Sequence, residues 1–448
     1  MRVGVALADA RRRGSNFVYA NAYVPDHIAA LSYTPGQQTA QSLSVAGECI
    51  ARADARVRKS AAGSTQIVGL LARSEGIGSS TIEGYNASLE KIVVESAMEH
   101  RSHTTTTAGI IRDGIESVAY ALDTLGDQAS PISTVGIEDV QRGLVANQGG
   151  HLRGYRLTFV QIGGSSAVPE TADFIPPPWQ DVHGLMEDLC DFINREDFVH
   201  PIAKAAIAHA QFETIHPFPD GNGRTGRALF QAMLRRSGLM THAVLPLSAA
   251  IAESDDSLQR YVAALGGVRD VGSLDETVEA FCDFVVEASM RTESLVDETE
   301  EALEELRATV ASQFRSDSVA HRLVDLLVKH VSITANGAAR MLGATPQSVR
   351  TALNNMEDRN VVASRAGGKA SRVYFAPGIL SVIAEASGSE VNDHPLSSLP
   401  STPMPWDVLT GPSRGRPQRG KRCGGPLRTG GTCMRPAGHG TTGHRSKP

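Results

Sequence analysis

Residues Ala208–Phe230 read AHAQFETIHPFPDGNGRTGRALF, and this stretch organises the whole chain. Between His216 and Arg227 an imidazole, a carboxylate, three glycines, an asparagine and two arginines share a very short span. Ala203 to Ile215 contains neither Gly nor Pro, and Ile207, Ala210 and Phe212 supply an apolar helical face. Pro217 and Pro219 stop that helix, because proline disfavours helical geometry at the residue before it. Gly221, Asn222 and Gly223 can adopt positive φ and turn their amides inward as an anion nest. A second helix, Arg224 to Arg236, presents free N-terminal amides to the same anion. Arg224 and Arg227 lie about one turn apart, so both guanidinium forks can reach one polyphosphate. His216 has the chemistry of a general base, and Asp220 that of a hard-cation ligand.

The expectation is a polyphosphate cradle with a base at its lip. Gly221, Gly223 and Gly226 also satisfy the spacing G-x-G-x-x-G of dinucleotide sites. That fingerprint needs a strand before it, whereas a helix and HPFPD precede it here, so it is rejected. The plainer alternative, a glycine-rich turn carrying surface arginines, does not account for so many convergent groups.

The string His216-Pro-Phe-Pro-Asp220-Gly-Asn-Gly-Arg224-Thr-Gly-Arg227 resembles the HxFx(D/E)GNGRxxR motif of the Fic family, matching it at every position. Members of that family mostly transfer AMP from ATP to a protein hydroxyl. The resemblance implies a mainly α fold: a Fic-type helical domain with a β-hairpin flap. It implies ATP as substrate, Mg²⁺ on Asp220, His216 as base, and phosphate binding by Gly221, Asn222, Gly223, Arg224 and Arg227. The acceptor would be a Ser, Thr or Tyr hydroxyl on another protein or on the chain itself, and a homodimer is compatible.

A second motif lies upstream. Gly78-Ser-Ser-Thr-Ile-Glu83-Gly84 reads alone as a capped helix end. Ser79 to Gly84 also resembles the family's (S/T)xxxE(G/N) inhibitory motif, in which the glutamate pairs with the second motif arginine, here Arg227. A carboxylate there would repel the γ-phosphate and occupy its arginine. In some relatives bearing this glutamate it positions water to remove AMP instead, which is an alternative for Glu83.

The chain has 448 residues, 41% hydrophobic and 21% charged, enough for two or three domains. A formal net charge of −6 excludes a globally basic nucleic-acid coat but not a local basic surface. No apolar run approaches a membrane span, and Ala6 to Arg13 lacks a signal peptide's core. Five scattered cysteines argue against a disulfide scaffold. The expected location is the cytoplasm.

Residues 1–35 read as an irregular lead-in and 36–125 as a helical region bearing the inhibitory motif. Residues 126–310 form the catalytic domain and trailing helices. Within it, Arg156 to Gly164 and Ala172 to Ile175 predict a hairpin about Gly163-Gly164. The resemblance makes that hairpin a flap aligning the target by strand addition. The polar run His100 to Thr107 reads as a loop. Tyr261 reads as a core residue, with an approach to adenine as the alternative. The acidic run Glu293 to Glu305 reads as a solvated helix face.

Residues 318–380 predict three helices then a hairpin, which resembles a winged helix-turn-helix and is small and α+β. Its third helix turns Val349, Leu353 and Met356 inward and Gln347, Ser348, Arg350, Thr351 and Asn354 outward. With Arg365 and Lys369 beside a Gly367-Gly368 turn, it suits DNA contact or, equally, protein contact. A DNA-binding transcriptional regulator that senses ATP is therefore the competing function. Residues 386–448 read as a Ser/Pro linker and a basic tail, in which Cys423, Cys433, His439 and His444 could hold Zn²⁺.

Overall fold

Apolar residues at helical spacing fill most of the chain, and a mainly helical structure results. The computed structural model describes residues 6–13, 16–98, 105–163, 172–269, 274–367 and 372–389. Strands β1 (Ala6–Arg13) and β2 (Asn16–Ala22) pair antiparallel, with Ala8 opposite Ala20 and Ala10 opposite Val18. The lead-in 1–35 is therefore not wholly irregular. Phe17, Val18 and Tyr19 favour extended backbone, and only Gly14 and Ser15 separate the two runs, which is hairpin chemistry.

The helices that follow are α1 (Gln37–Arg58), α2 (Ser64–Ile82), α3 (Leu89–Ala97), α4 (Thr107–Thr124) and α5 (Thr134–Leu144). Next come α6 (Val182–Asn194), α7 (Pro201–Ile215), α8 (Asn222–Arg236), α9 (Leu247–Ile251) and α10 (Asp255–Leu265). A 40-residue helix, α11 (Leu274–Gln313), closes the larger unit. Helix α7 is buried on every side, from Ile202 through Ile215 with Lys204 the exception. A helix enclosed all round belongs at the centre of a core, and α7 packs against α8, α6 and α11. Helix α2 packs against α4, α8 and α9, with Gly76 tight on the Ile115 backbone of α4. That approach brings the C-terminal end of α2 to the first turn of α8.

The acidic face of α11 is not simply solvated. Arg56 of α1 bridges Asp297 at 2.6 Å and Glu300 at 2.7 Å, and Arg52 reaches Glu293 at 2.6 Å. The two arginines, four residues apart, lie on one side of α1 and meet carboxylates at matching helical spacing. Arg56 holds Glu300 down to about 2.

The C-terminal unit consists of α12 (Val319–His330), β3 (Ser332–Thr334), α13 (Ala335–Leu342), α14 (Pro346–Asp358), β4 (Ala363–Ala366), β5 (Arg372–Phe375) and α15 (Pro377–Ser387). Its antiparallel sheet has the order β3-β5-β4. Gly343, at φ +61°, turns the chain between α13 and α14, and the Thr345 hydroxyl caps α14 by accepting from Ser348 N at 3.2 Å. Val349, Leu353 and Met356 are buried, while Gln347, Ser348, Arg350, Thr351 and Asn354 are exposed. Helix α15 carries regular structure past Leu380 to Ser387, because Ile379, Leu380, Val382 and Ile383 bury against the rest. Arg365 makes two 2.8 Å hydrogen bonds to Glu90 of α3, so this basic group is engaged within the chain.

Among the described residues, the expected hairpin about Gly163-Gly164 shows one antiparallel bridge, Ile162 with Phe174. Beyond the bridge, Pro177 O accepts from Arg156, and Pro176 to Pro178 lack the N–H groups a ladder needs. Gly164, Gly368 and Lys369 lie outside the described residues, as do His100 and His103 and the whole Cys423, Cys433, His439 and His444 set. Cys49, Cys190 and Cys282 are buried free thiols. Among the described residues no helix is long and apolar enough to cross a membrane.

Candidate active site

The motif occupies the joint between α7 and α8. His216 caps α7 in the left-handed region at φ 49°, a conformation uncommon for a side-chain-bearing residue and often found where function demands it. Gly221, at φ +83°, is the N-cap of α8. The expected nest of three positive-φ residues is corrected here: only Gly221 is left-handed, and Asn222 and Gly223 already begin the helix. The anion-facing amides are therefore those of a helix N-terminus. The Asn222 side chain accepts from Phe218 N and donates to Phe218 O, both at 2.9 Å, so it braces the loop.

Arg156, which sequence reasoning treated as part of a strand, fixes this loop from below. It is 1% exposed, and its Nε donates to His216 O at 2.8 Å. Its Nη2 donates to Pro177 O at 2.5 Å and Ile215 O at 3.3 Å, while Arg156 N reaches Pro217 O at 2.9 Å. Burial lowers the Arg156 guanidinium to about 10, still protonated at neutral pH. Replacing Arg156 by alanine orphans these buried carbonyls and should cost about 3 kcal/mol in denaturant unfolding. A loss below about 1 kcal/mol would show that the loop holds itself.

The imidazole of His216 is 7% exposed. Burial first, and the Arg156 charge second, hold it down to about 3, so it is neutral at physiological pH. Its Nδ1 lies 3.8 Å from Glu213 Oε2, but this is no ion pair. Burial pushes Glu213 up to about 8, leaving its carboxyl mostly protonated beside a neutral ring. Asp220 accepts from Gly221 N at 2.6 Å and lies 3.5 Å from Arg224 through the same oxygen. Its Oδ2 is buried with no hydrogen-bond partner among the described residues, a free hard donor of the kind Mg²⁺ selects. No cluster of three or more His, Cys, Asp or Glu residues suited to a metal exists among the described residues. The remaining ligands of a cation here would have to come from phosphate and water.

Arg227 is 1% exposed and points away from solvent, toward the end of α2. Its Nε donates to Ser79 Oγ, and its Nη2 donates to Ser79 O and Glu83 Oε1, all at 2.9 Å. A β-carbon at Gly223 would collide with the Glu83 carboxylate, so glycine is what lets that carboxylate approach the first turn of α8. Tyr261 is a core residue, with its hydroxyl 2.8 Å from His209 Nε2 and 3.5 Å from Arg227 Nη1. The structure thus gathers His216, Asp220, Arg224, Arg227, Ser79 and Glu83 around one helix N-terminus. Gly163, at φ +70°, lies beside the Ile162–Phe174 bridge.

Residues 131–234 match the Fic/DOC family. A "Probable protein adenylyltransferase" of Aquifex aeolicus (strain VF5) is 34% identical over 149 residues, 32% of this chain and 44% of that protein. A "Protein adenylyltransferase Fic" of Nematostella vectensis is 30% identical over 165 residues, 36% of each chain. This chain therefore spans less than half the length of those curated relatives. A solved Fic family protein from Desulfovibrio desulfuricans G20 is 21% identical, with a TM-score of 0.46 over 77% of this chain and 98% of that one. The segment built around His216 to Arg227 is thus the part of the chain that is similar to the Fic/DOC family, over residues 131–234.

Proposed function

We propose that the chain transfers AMP from ATP to a Ser, Thr or Tyr hydroxyl of a protein, and that Glu83 restrains the transfer. The observation that supports the reading is the N-terminus of α8: it opens directly after the loop that follows His216 and carries Arg224 and Arg227 on its first turns, and the imidazole before it is neutral. The amides from Gly221 to Gly223 would cradle the phosphates, with Arg224 and Arg227 on the outer ones. Asp220 would hold Mg²⁺, which when bound neutralises phosphate charge. Neutral His216 takes the proton from the acceptor hydroxyl as its oxygen bonds to the α-phosphorus, and pyrophosphate leaves. The 2.9 Å bond from Arg227 to Glu83 supports the restraint, because it commits the arginine and adds a negative charge where a γ-phosphate would lie. Intact-mass spectrometry after incubation with Mg-ATP tests the reading. An AMP adduct is expected, at low level in the native chain. Its absence even after Glu83 is replaced would sink it.

A second reading, DNA contact, is favoured by one observation: α14 exposes Gln347, Ser348, Arg350, Thr351 and Asn354 together. In this reading residues 318–380 act as a winged helix-turn-helix. Anisotropy of a labelled duplex should then show weaker binding by Arg350→Ala, with the salt slope reduced by about one phosphate contact. Equal affinity for both proteins would assign this face to another partner.

A further inference from the structure

The turn that presents Glu83 carries a second residue aimed at the same helix. Gly84 sits at φ +79°, its N–H donating to Thr81 O at 2.9 Å, and Tyr85 N donates to Ser80 O at 3.0 Å. This pair of bonds is a Schellman turn, which ties the two residues beyond the helix cap to its last turn. Glu83 and Tyr85 therefore straddle Gly84 in a fixed relation. One reaches Arg227, and the other reaches Arg224 one turn earlier on α8. The Tyr85 ring lies over the Arg224 guanidinium, its centroid 4.7 Å from Cζ.

Arg224 is 3% exposed. Its Nε, Nη1 and Nη2 are all buried without a hydrogen-bond partner among the described residues, and Asp220 at 3.5 Å is its ion-pair neighbour. Burial raises the Tyr85 hydroxyl to about 12, so the ring is neutral and meets the cation through its π face. A phosphate would satisfy a buried guanidinium far better than an aromatic face does, through charged hydrogen bonds to its N–H edges. In this conformation those edges are buried, beside a hollow that Arg224 lines with Gly76, Ser79, Gly114 and Leu144, while Tyr85 covers the face of the guanidinium. Tyr85 is half-buried, packed on the margin of the core rather than within it.

We infer that Tyr85 is a stopper in the nucleotide site: it covers Arg224 as Glu83 occupies Arg227, and a polyphosphate engages both arginines only when the Glu83–Gly84–Tyr85 turn swings away. This rests on the nucleotide reading above and deepens it, because removing the Glu83 carboxylate alone frees only one of the two arginines.

Calorimetry with two probes, a non-hydrolysable Mg-ATP analogue and inorganic tripolyphosphate, tests it on the full chain. The proteins compared are native, Tyr85→Phe, Tyr85→Ala, and Glu83→Gly with and without Tyr85→Ala, each checked for an unchanged melting temperature. Tyr85→Ala should bind tripolyphosphate about fivefold to tenfold tighter than native, with the gain persisting in the Glu83→Gly background. Tyr85→Phe keeps the ring and should behave as native. Unchanged or weaker binding by Tyr85→Ala overturns the stopper, and weaker binding would make the ring a support for Arg224. If tripolyphosphate tightens as expected while no protein takes the nucleotide, the stopper stands and the nucleotide reading falls. If neither probe binds any of the proteins, both are overturned.

Discussion

Glu83→Gly is expected to raise auto-labelling from α-phosphate-labelled ATP by about tenfold to a hundredfold. The magnitude follows from one charged hydrogen bond in a buried setting, worth about 1.5–3 kcal/mol, at about 1.4 kcal/mol per factor of ten. The donor, Arg227 Nη2, lies 2.9 Å from Glu83 Oε1, and the carboxylate sits hard against Gly223. With the carboxylate gone, Arg227 is released to a phosphate and a repulsive charge leaves the site. The fold should survive, because Arg227 retains its bonds to the Ser79 hydroxyl and carbonyl. Labelling no greater than that of the native chain would refute the restraint while leaving the transfer chemistry open.

His216→Ala in that activated background should lower transfer by about 10³-fold or more, while the Mg-ATP analogue still binds. The separation is physical: on the proposed reading the phosphates would be held by amides and arginines of α8, whereas His216 belongs to the end of α7. The pH dependence carries its own sign. Burial holds His216 down to about 3, so the deprotonated, base-competent ring persists as pH falls through the ordinary histidine value of about 6.5. The kcat/KM of the Glu83→Gly enzyme should therefore show no acid limb near that value. A limb there that vanished with another residue's replacement would move the base elsewhere. Loss of nucleotide binding in His216→Ala would mean that the imidazole supports the loop rather than the proton transfer.

Much of this was legible because the signals are local. Pro217 and Pro219 end one helix, glycine at 221 begins the next, and the resulting joint is set by backbone sterics within a few residues. The helical run of most elements was legible for the same reason, since burial at 3.6-residue spacing needs no knowledge of the partner. Signals that depend on pairing were read less well. The strands β1 and β2 were missed, and of the predicted hairpin at Gly163 the described residues hold a single bridge. An extended run becomes a strand only if another backbone is free to bond with it, and past Phe174 the carbonyl of Pro177 is taken by Arg156 and Pro176 to Pro178 lack N–H groups.

From its sequence alone this protein could be read as mainly helical, with a helix-to-helix joint that concentrates an imidazole, a carboxylate and two arginines, and with a glutamate upstream matched to one arginine. Tertiary structure alone decided which donors are free. It buried Arg156 beneath the His216 loop, turned the Asn222 side chain to bracing, and laid Tyr85 across Arg224. It also left Glu213 and His216 as neutral neighbours rather than an ion pair. The physical reason is that charge, solvation and hydrogen-bond satisfaction depend on which atoms from distant segments share a dry volume, whereas helix ends and turns depend on the few residues that make them.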